Sequence, residues 1–150
     1  MNYLPGWLIA TMRITMGWLF IWNGWLHIKD PSWTAVGYIS KSHIAPQFFS
    51  WLATPDILEW VNFLNSWGIL VLGICLVIGF STRIAASFGI IAMILYYIPT
   101  ISKFPFLTNG SLFISEHIFY ILILISLIIL NAGQYFGFGK KLIIRVAESG

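Results

Sequence analysis

The chain has 150 residues, of which 59% are hydrophobic and only 9% are Asp, Glu, Lys or Arg. A soluble domain carries roughly 25% charged residues, and eight basic plus five acidic side chains cannot cover a water-facing surface of this size. A soluble enzyme, a nucleic-acid-binding domain and a disordered tail are excluded, which leaves a one-domain integral membrane protein. The net charge of +3 comes from scattered Lys and Arg and bears on membrane orientation, not on a polyanionic partner. One cysteine, Cys75, excludes an internal disulfide and a cysteine-based zinc or iron–sulfur site.

The fold class expected is an all-α integral membrane protein, a bundle of four transmembrane helices at about 4–27, 57–80, 84–101 and 112–132. Residues 60–82, 84–102 and 117–139 contain no Asp, Glu, Lys or Arg, and each run reaches the ~20 residues a bilayer-crossing helix needs. Lipid offers no partner for unpaired backbone groups and the segments lack barrel alternation, so helix is the only secondary structure expected. The first stretch, Leu4–Leu26, is apolar except for Arg13. No Lys or Arg precedes it and no small-x-small site follows it, so it reads as a retained helix, not a cleaved leader.

Residues 28–56 form the one long connection, rich in aromatics (Trp33, Tyr38, Phe48, Phe49, Trp51) and broken by Pro31, Pro46 and Pro55. Short amphipathic pieces lying on the outer leaflet and capping the bundle are expected there. Residues 133–150 read as a basic cytoplasmic tail. Arg83, Lys140, Lys141 and Arg145 fall on one side and Lys29, Lys41 and Lys103 on the other. Both termini are therefore expected in the cytoplasm of a multi-pass cell-membrane protein.

Successive helical residues advance ~100°, which sets Arg13, Gly17, Phe20, Gly24 and His27 on one line of the first helix and Trp18, Trp22 and Trp25 opposite. The polar line should face protein, since a charge in lipid costs at least ~2.5–3.5 kcal/mol. Gly17 and Gly24 should admit a neighbouring backbone. Ser81, Ala85, Gly89 and Ala92 make a second small-residue seam, and Asn62, Asn65, Gly68 and Gly73 line the inner side of helix two.

Six residues carry the candidate chemistry of a quinone and proton site: Arg13, His27, Tyr96, Tyr97, Glu116 and His117. Arg13 reads either as a fixed cation for an anionic or quinone-like head, or as a structural arginine paired with backbone carbonyls. Glu116 and His117 read either as a helix-start cap or as a proton-exchanging pair. Tyr96 and Tyr97 read as interface anchors or as hydrogen-bonding partners of a quinone ring. The histidines His27, His43 and His117 have no metal-motif spacing, so no metal is expected.

The pattern Arg13-x3-Gly17-Trp18-x-Phe20, then Gly24-x4-Lys29-x-Pro31-x-Trp33-x-Ala35-x-Gly37-Tyr38, resembles the DoxX/DoxD-like membrane proteins. Gly68-x4-Gly73-x5-Gly79-x3-Arg83-x-Ala85-Ala86 and Glu116-His117-x2-Tyr120 extend the likeness over about 10–142. The resemblance implies a four-helix membrane fold. It also points to the small membrane subunit of thiosulfate:quinone oxidoreductase, and so to a subunit of a larger redox complex with a quinone- or lipid-facing site. The alternative is a non-catalytic accessory subunit that stabilises a multi-subunit oxidoreductase or oxygenase. The chain has no flavin, haem or cluster motif, so it is expected to act as a subunit and not as an enzyme alone. No intrinsic cofactor is expected, with quinone as the candidate ligand. The expected partners are the lipid bilayer and other membrane subunits, with no nucleic acid.

Overall fold

The computed structural model describes residues 4–103, 107–108, 111–112 and 115–137. Helix α1 is Gly6–Lys29, followed by two short helices, α2 (Val36–Ile39) and α3 (Pro46–Leu52). A continuous rod, Pro55–Ile78, comprises α4 (Pro55–Phe63), a π-helical turn (Leu64–Gly68) and α5 (Ile69–Ile78). Helix α6 is Thr82–Thr100, α7 is Glu116–Ile129, and a 3-10 turn spans Ala132–Gln134.

Local chemistry sets the ends of these helices. Pro5 is extended and Asp30 ends α1, its carboxylate accepting from the Ser32 hydroxyl at 2.6 Å and the Ser32 N–H at 3.0 Å. Those two hydrogen bonds hold the Asp30 carboxyl below its usual range. Pro55 starts the rod at a position where a missing N–H costs nothing. Gly79 closes the rod with φ +77, and the N–H groups of Gly79 and Phe80 both reach the Cys75 carbonyl at 3.0 Å. Ser115 caps α7, its Oγ accepting from the His117 N–H at 3.3 Å.

Two expectations are corrected. The fourth helix begins at Glu116 and ends at Ile129 instead of running over 112–132, because Ser115 caps it and Asn131 takes a left-handed conformation. The segment before it is not purely loop and helix: Ile101–Lys103, Leu107–Thr108 and Ser111–Leu112 pair as a small antiparallel ribbon, β1-β2-β3. The sequence Asn109–Gly110 between the last two strands is a strong short-range hairpin signal. The other three spans shift by one or two residues, to Gly6–Lys29, Pro55–Ile78 and Thr82–Thr100.

Glycine governs the tightest helix contact, α1 against α5. A Cβ on Gly17 would stand 2.8 Å from the Gly73 carbonyl oxygen, and one on Gly73 would stand 2.6 Å from the Gly17 oxygen. At Gly24 a Cβ would stand 2.8 Å from both the Leu70 nitrogen and the Ser66 oxygen. Backbone therefore meets backbone, the contact that small residues make possible where lipid offers no hydrophobic drive. Helix α6 packs on α7, and its Gly89 lies under the Phe20 ring and Leu124. The core collects Ile9, Met16, Phe20, Ile69, Leu76, Ala86, Met93, Leu124 and Leu127. A second cluster, Ala35, Ile39 and Phe49 with Trp33, Leu58, Val61 and Ile98 around it, seats the 28–56 segment on the rod and α6. Asn62 ties it down, accepting from the Ala35 N–H at 2.9 Å.

Trp18, Trp22 and Trp25 face outward, as do Trp60, Val71, Phe88 and Ile91. Two helices, Pro55–Ile78 and Thr82–Thr100, are long and apolar enough to cross a membrane, with mean hydropathy of 2.1 and 1.4. Only 22% and 33% of their apolar windows are buried inside the protein, so most of this surface needs an apolar solvent.

Gly73→Ala should lower stability in detergent by roughly 1–3 kcal/mol, because the new methyl meets carbonyl and amide atoms that cannot yield. Gly68→Ala, whose Cβ would meet only the Leu64 side chain at 3.9 Å, should be neutral or stabilising by up to ~1 kcal/mol. Thermal unfolding of both variants measures the difference.

Candidate functional site

The polar groups of the bundle separate to its two ends. At one end, where α1 begins and α5 and α7 finish, lies Arg13, which is fully buried. Its Nη1 donates to the carbonyls of Leu76 at 2.7 Å and Val77 at 3.2 Å, and its Nη2 to those of Tyr135 at 3.3 Å and Phe136 at 3.4 Å. Leu76 and Val77 are in the last turn of α5, where carbonyls have no partner within the helix and the helix dipole is negative. A planar, permanently charged fork suits four acceptors. The Nε has no partner among the described residues. Gly79 lies against the guanidinium and Gly6 against the Tyr135 ring, so the cation ties α1, α5 and the segment after α7 together.

At the other end, α1 finishes, α6 finishes, α7 begins and the 28–56 segment closes over them. A cavity of about 300 Å³ lies here, with His27, Tyr96, Glu116 and His117 on its wall. Asn23, Trp33, Thr34, Tyr38 and Tyr120 complete its polar and aromatic lining, over a floor of Leu19, Phe20, Ile69 and Met93. Four of the six candidates from the sequence are thus brought together. Arg13 and Tyr97 are not part of this wall: fourteen residues of helix put Arg13 about 21 Å from His27 along the axis.

The cavity is ordered by rings and hydrogen bonds. His27 stacks on Trp33, centroids 3.8 Å apart and planes 14° apart, and it faces the backbone of Asn65. Tyr96 meets Tyr38 edge-on at 5.9 Å and His117 at 6.3 Å, and its hydroxyl donates to Asn65 Oδ1. Asn65 in turn donates from Nδ2 to the Val61 carbonyl at 2.6 Å. It belongs to the π-helical turn, a local departure from α geometry that recurs at functional sites. His117 Nδ1 is 2.7 Å from Ser115 Oγ, and the Tyr120 hydroxyl donates to Glu116 Oε2 at 3.4 Å. Glu116 is exposed and opens the wall to solvent.

Two buried polar atoms on this wall have no partner among the described residues: His27 Nδ1 and the Tyr38 hydroxyl. Burial, with the charge of Glu116 second, pushes the Tyr38 phenol above its usual range, so it remains a proton donor at physiological pH. Asn23, Trp33, Thr34, Tyr38 and Tyr120 of this wall lie outside the six candidates, and of these Tyr38 carries the buried atom unpartnered among the described residues. Its signal in the sequence is the aromatic density of residues 28–56, which equally fits amphipathic pieces on the membrane surface. Among the described residues no group of three or more His, Cys, Asp and Glu could hold a metal ion.

Arg13→Met leaves four carbonyls without a charged donor and should cost about 2–5 kcal/mol, with Arg13→Lys recovering only part. Thermal unfolding reads the cost. Easier proteolysis near Tyr135–Gly137 reads the released segment.

Neither a curated protein nor a solved structure matches this chain. A family model described as DoxX matches residues 8–100, from α1 through α6. The match takes in His27, Tyr38, Asn65 and Tyr96 and leaves Glu116, His117 and Tyr120 of α7 beyond it. Covering more than half of the 150 residues, it shows that the chain belongs to the DoxX family of membrane proteins.

Proposed function

We propose that this DoxX-family chain is a four-span membrane subunit of a larger oxidoreductase complex, and that its cavity receives the headgroup of a quinone. The observation that carries this reading is the cavity itself, with two buried polar atoms unpartnered among the described residues and a His/Glu/Tyr wall on an apolar floor. Small-molecule sites have this composition: mostly apolar, with a few convergent polar groups that fix orientation. A bound quinone supplies a two-electron, two-proton carrier, with electrons arriving from a partner subunit.

The residues divide the work. The Tyr38 phenol donates a hydrogen bond toward a ring carbonyl, and His27 offers a second polar contact at Nδ1. Asn65 holds the Tyr96 hydroxyl in place. Glu116, exposed at the rim, and His117, held by Ser115, pass protons between the cavity and the adjoining water. A subunit that couples a ring in a bundle to protons at the surface needs these groups at one end of the bundle. Arg13, satisfied by backbone at the other end, is free of this task.

In this reading α1, the rod, α6 and α7 each cross the bilayer. Helix α7 is the short one: 14 residues span about 21 Å, less than the ~30 Å hydrocarbon core. The termini face the cytoplasm with Arg83, and the cavity faces the outer side with Lys29 and Lys41. The alternative is an accessory subunit without a ligand, which draws on the exposed row Trp18, Trp22 and Trp25 as a surface for a partner helix.

Purification of the tagged chain in mild detergent, with mass spectrometry of co-purifying proteins and extracted quinones, tests both readings. Redox subunits in fixed ratio together with bound quinone are the expected result. Tyr96→Phe and Glu116→Gln should each cut retained quinone about tenfold, equivalent to ~1.4 kcal/mol; Glu116→Gln should leave the unfolding temperature unchanged, and Tyr96→Phe should lower it slightly through the lost hydrogen bond to Asn65. Full quinone retention in both variants would remove the headgroup site, and partner subunits without quinone would leave the accessory role.

A further inference from the structure

The cavity has an apolar annex. Between the rod and α6 runs a groove of about 630 Å³ whose lining is almost entirely hydrocarbon, including Leu64, Val71, Phe88 and Ile91. Those four side chains are also exposed at the outer surface, so the groove opens sideways among residues that face lipid. Cavity and groove share Ala35, Tyr38, Ile69 and Tyr96 as a common wall. The two tyrosine rings stand edge to face at that junction. One hydroxyl is held by Asn65 of the π-helical turn, whereas the other is buried without a partner among the described residues. A molecule that accepts from the Tyr38 hydroxyl therefore supplies a partner that the described residues do not.

We infer that the groove takes the polyprenyl tail of a quinone whose ring occupies the polar cavity, with the molecule entering laterally from the bilayer between the rod and α6. Tyr38 and Tyr96 form the junction that ring and tail straddle, and the Tyr38 hydroxyl donates to the ring. This rests on the headgroup reading of the cavity and adds to it the tail and its route. A tail leaving lipid for an apolar groove gains little from the hydrophobic effect, since both surroundings are hydrocarbon. The groove acts through shape: it gives the tail an exit, without which a tailed ring cannot seat in the cavity.

The test uses the full chain in lipid nanodiscs and three probes: a tail-less naphthoquinone, the same ring with a short polyprenyl tail, and a polyprenyl alcohol. Gly68→Leu adds bulk to the groove wall where a Cβ meets only a side chain at 3.9 Å, and Ile91→Trp fills it from an exposed position. Both should weaken the tailed quinone by about tenfold or more and change the tail-less ring by less than about twofold. Tyr38→Phe should weaken both quinones and leave the alcohol unchanged. Equal binding of the tailed quinone to the parent chain and both groove variants would overturn the tail route while sparing the headgroup site. Alcohol binding as tight as quinone binding, with quinone binding indifferent to Tyr38→Phe and Tyr96→Phe, would overturn the headgroup site and keep the groove for tails. Binding of none of the three would overturn both.

Discussion

Backbone contact between α1 and α5 is the constraint on which the rest of the bundle depends. In hydrocarbon, apolar side chains gain nothing by leaving lipid, so helices associate through close van der Waals packing where residues are small. Gly17, Gly24 and Gly73 bring two backbones into contact along about two turns of α1's inner face. With α1 committed to α5, and α6 to α7, the rod and α6 are joined less closely than either of those pairs. The apolar groove lies at that looser seam. A tight contact on one side thus leaves room on the other.

Arg13 shows how a buried charge is satisfied by backbone, with no counter-ion among the described residues. Its partners are four carbonyls, two of them in the last turn of α5. An arginine cap serves the helix end and the guanidinium at once, each relieving the other's desolvation. Gly79 lies against the fork and in a left-handed conformation, so one residue meets two demands. This end of the bundle is spent on structure. At the other end histidine, tyrosine and glutamate line a space that the core does not fill.

Much of the architecture was legible from local pattern. The helical periodicity of α1 separated Arg13, Gly17, Phe20 and Gly24 from Trp18, Trp22 and Trp25, and the former are buried while the latter are exposed. Turn chemistry was less legible: Ser115 moved the start of α7, and the ribbon before it escaped a reading that allowed only helix. Of the candidate site, His27, Tyr96, Glu116 and His117 share one wall, because the C-terminal ends of α1 and α6 and the start of α7 meet at one end. The basic cluster Lys140, Lys141 and Arg145 lies outside the described residues.

The sequence by itself determined the solvent of this protein, its helices and the inner face of α1. Those properties depend on composition and on a period of 3.6 residues, which act within one segment. Tertiary structure alone decided what each inward group meets. Arg13 finds its acceptors 63 and 122 positions away, and Tyr38 reaches Tyr96 only because Asn62 and the Phe49 cluster seat residues 28–56 on the rod. Such partnerships follow from the direction and register of packed helices, which no local period encodes.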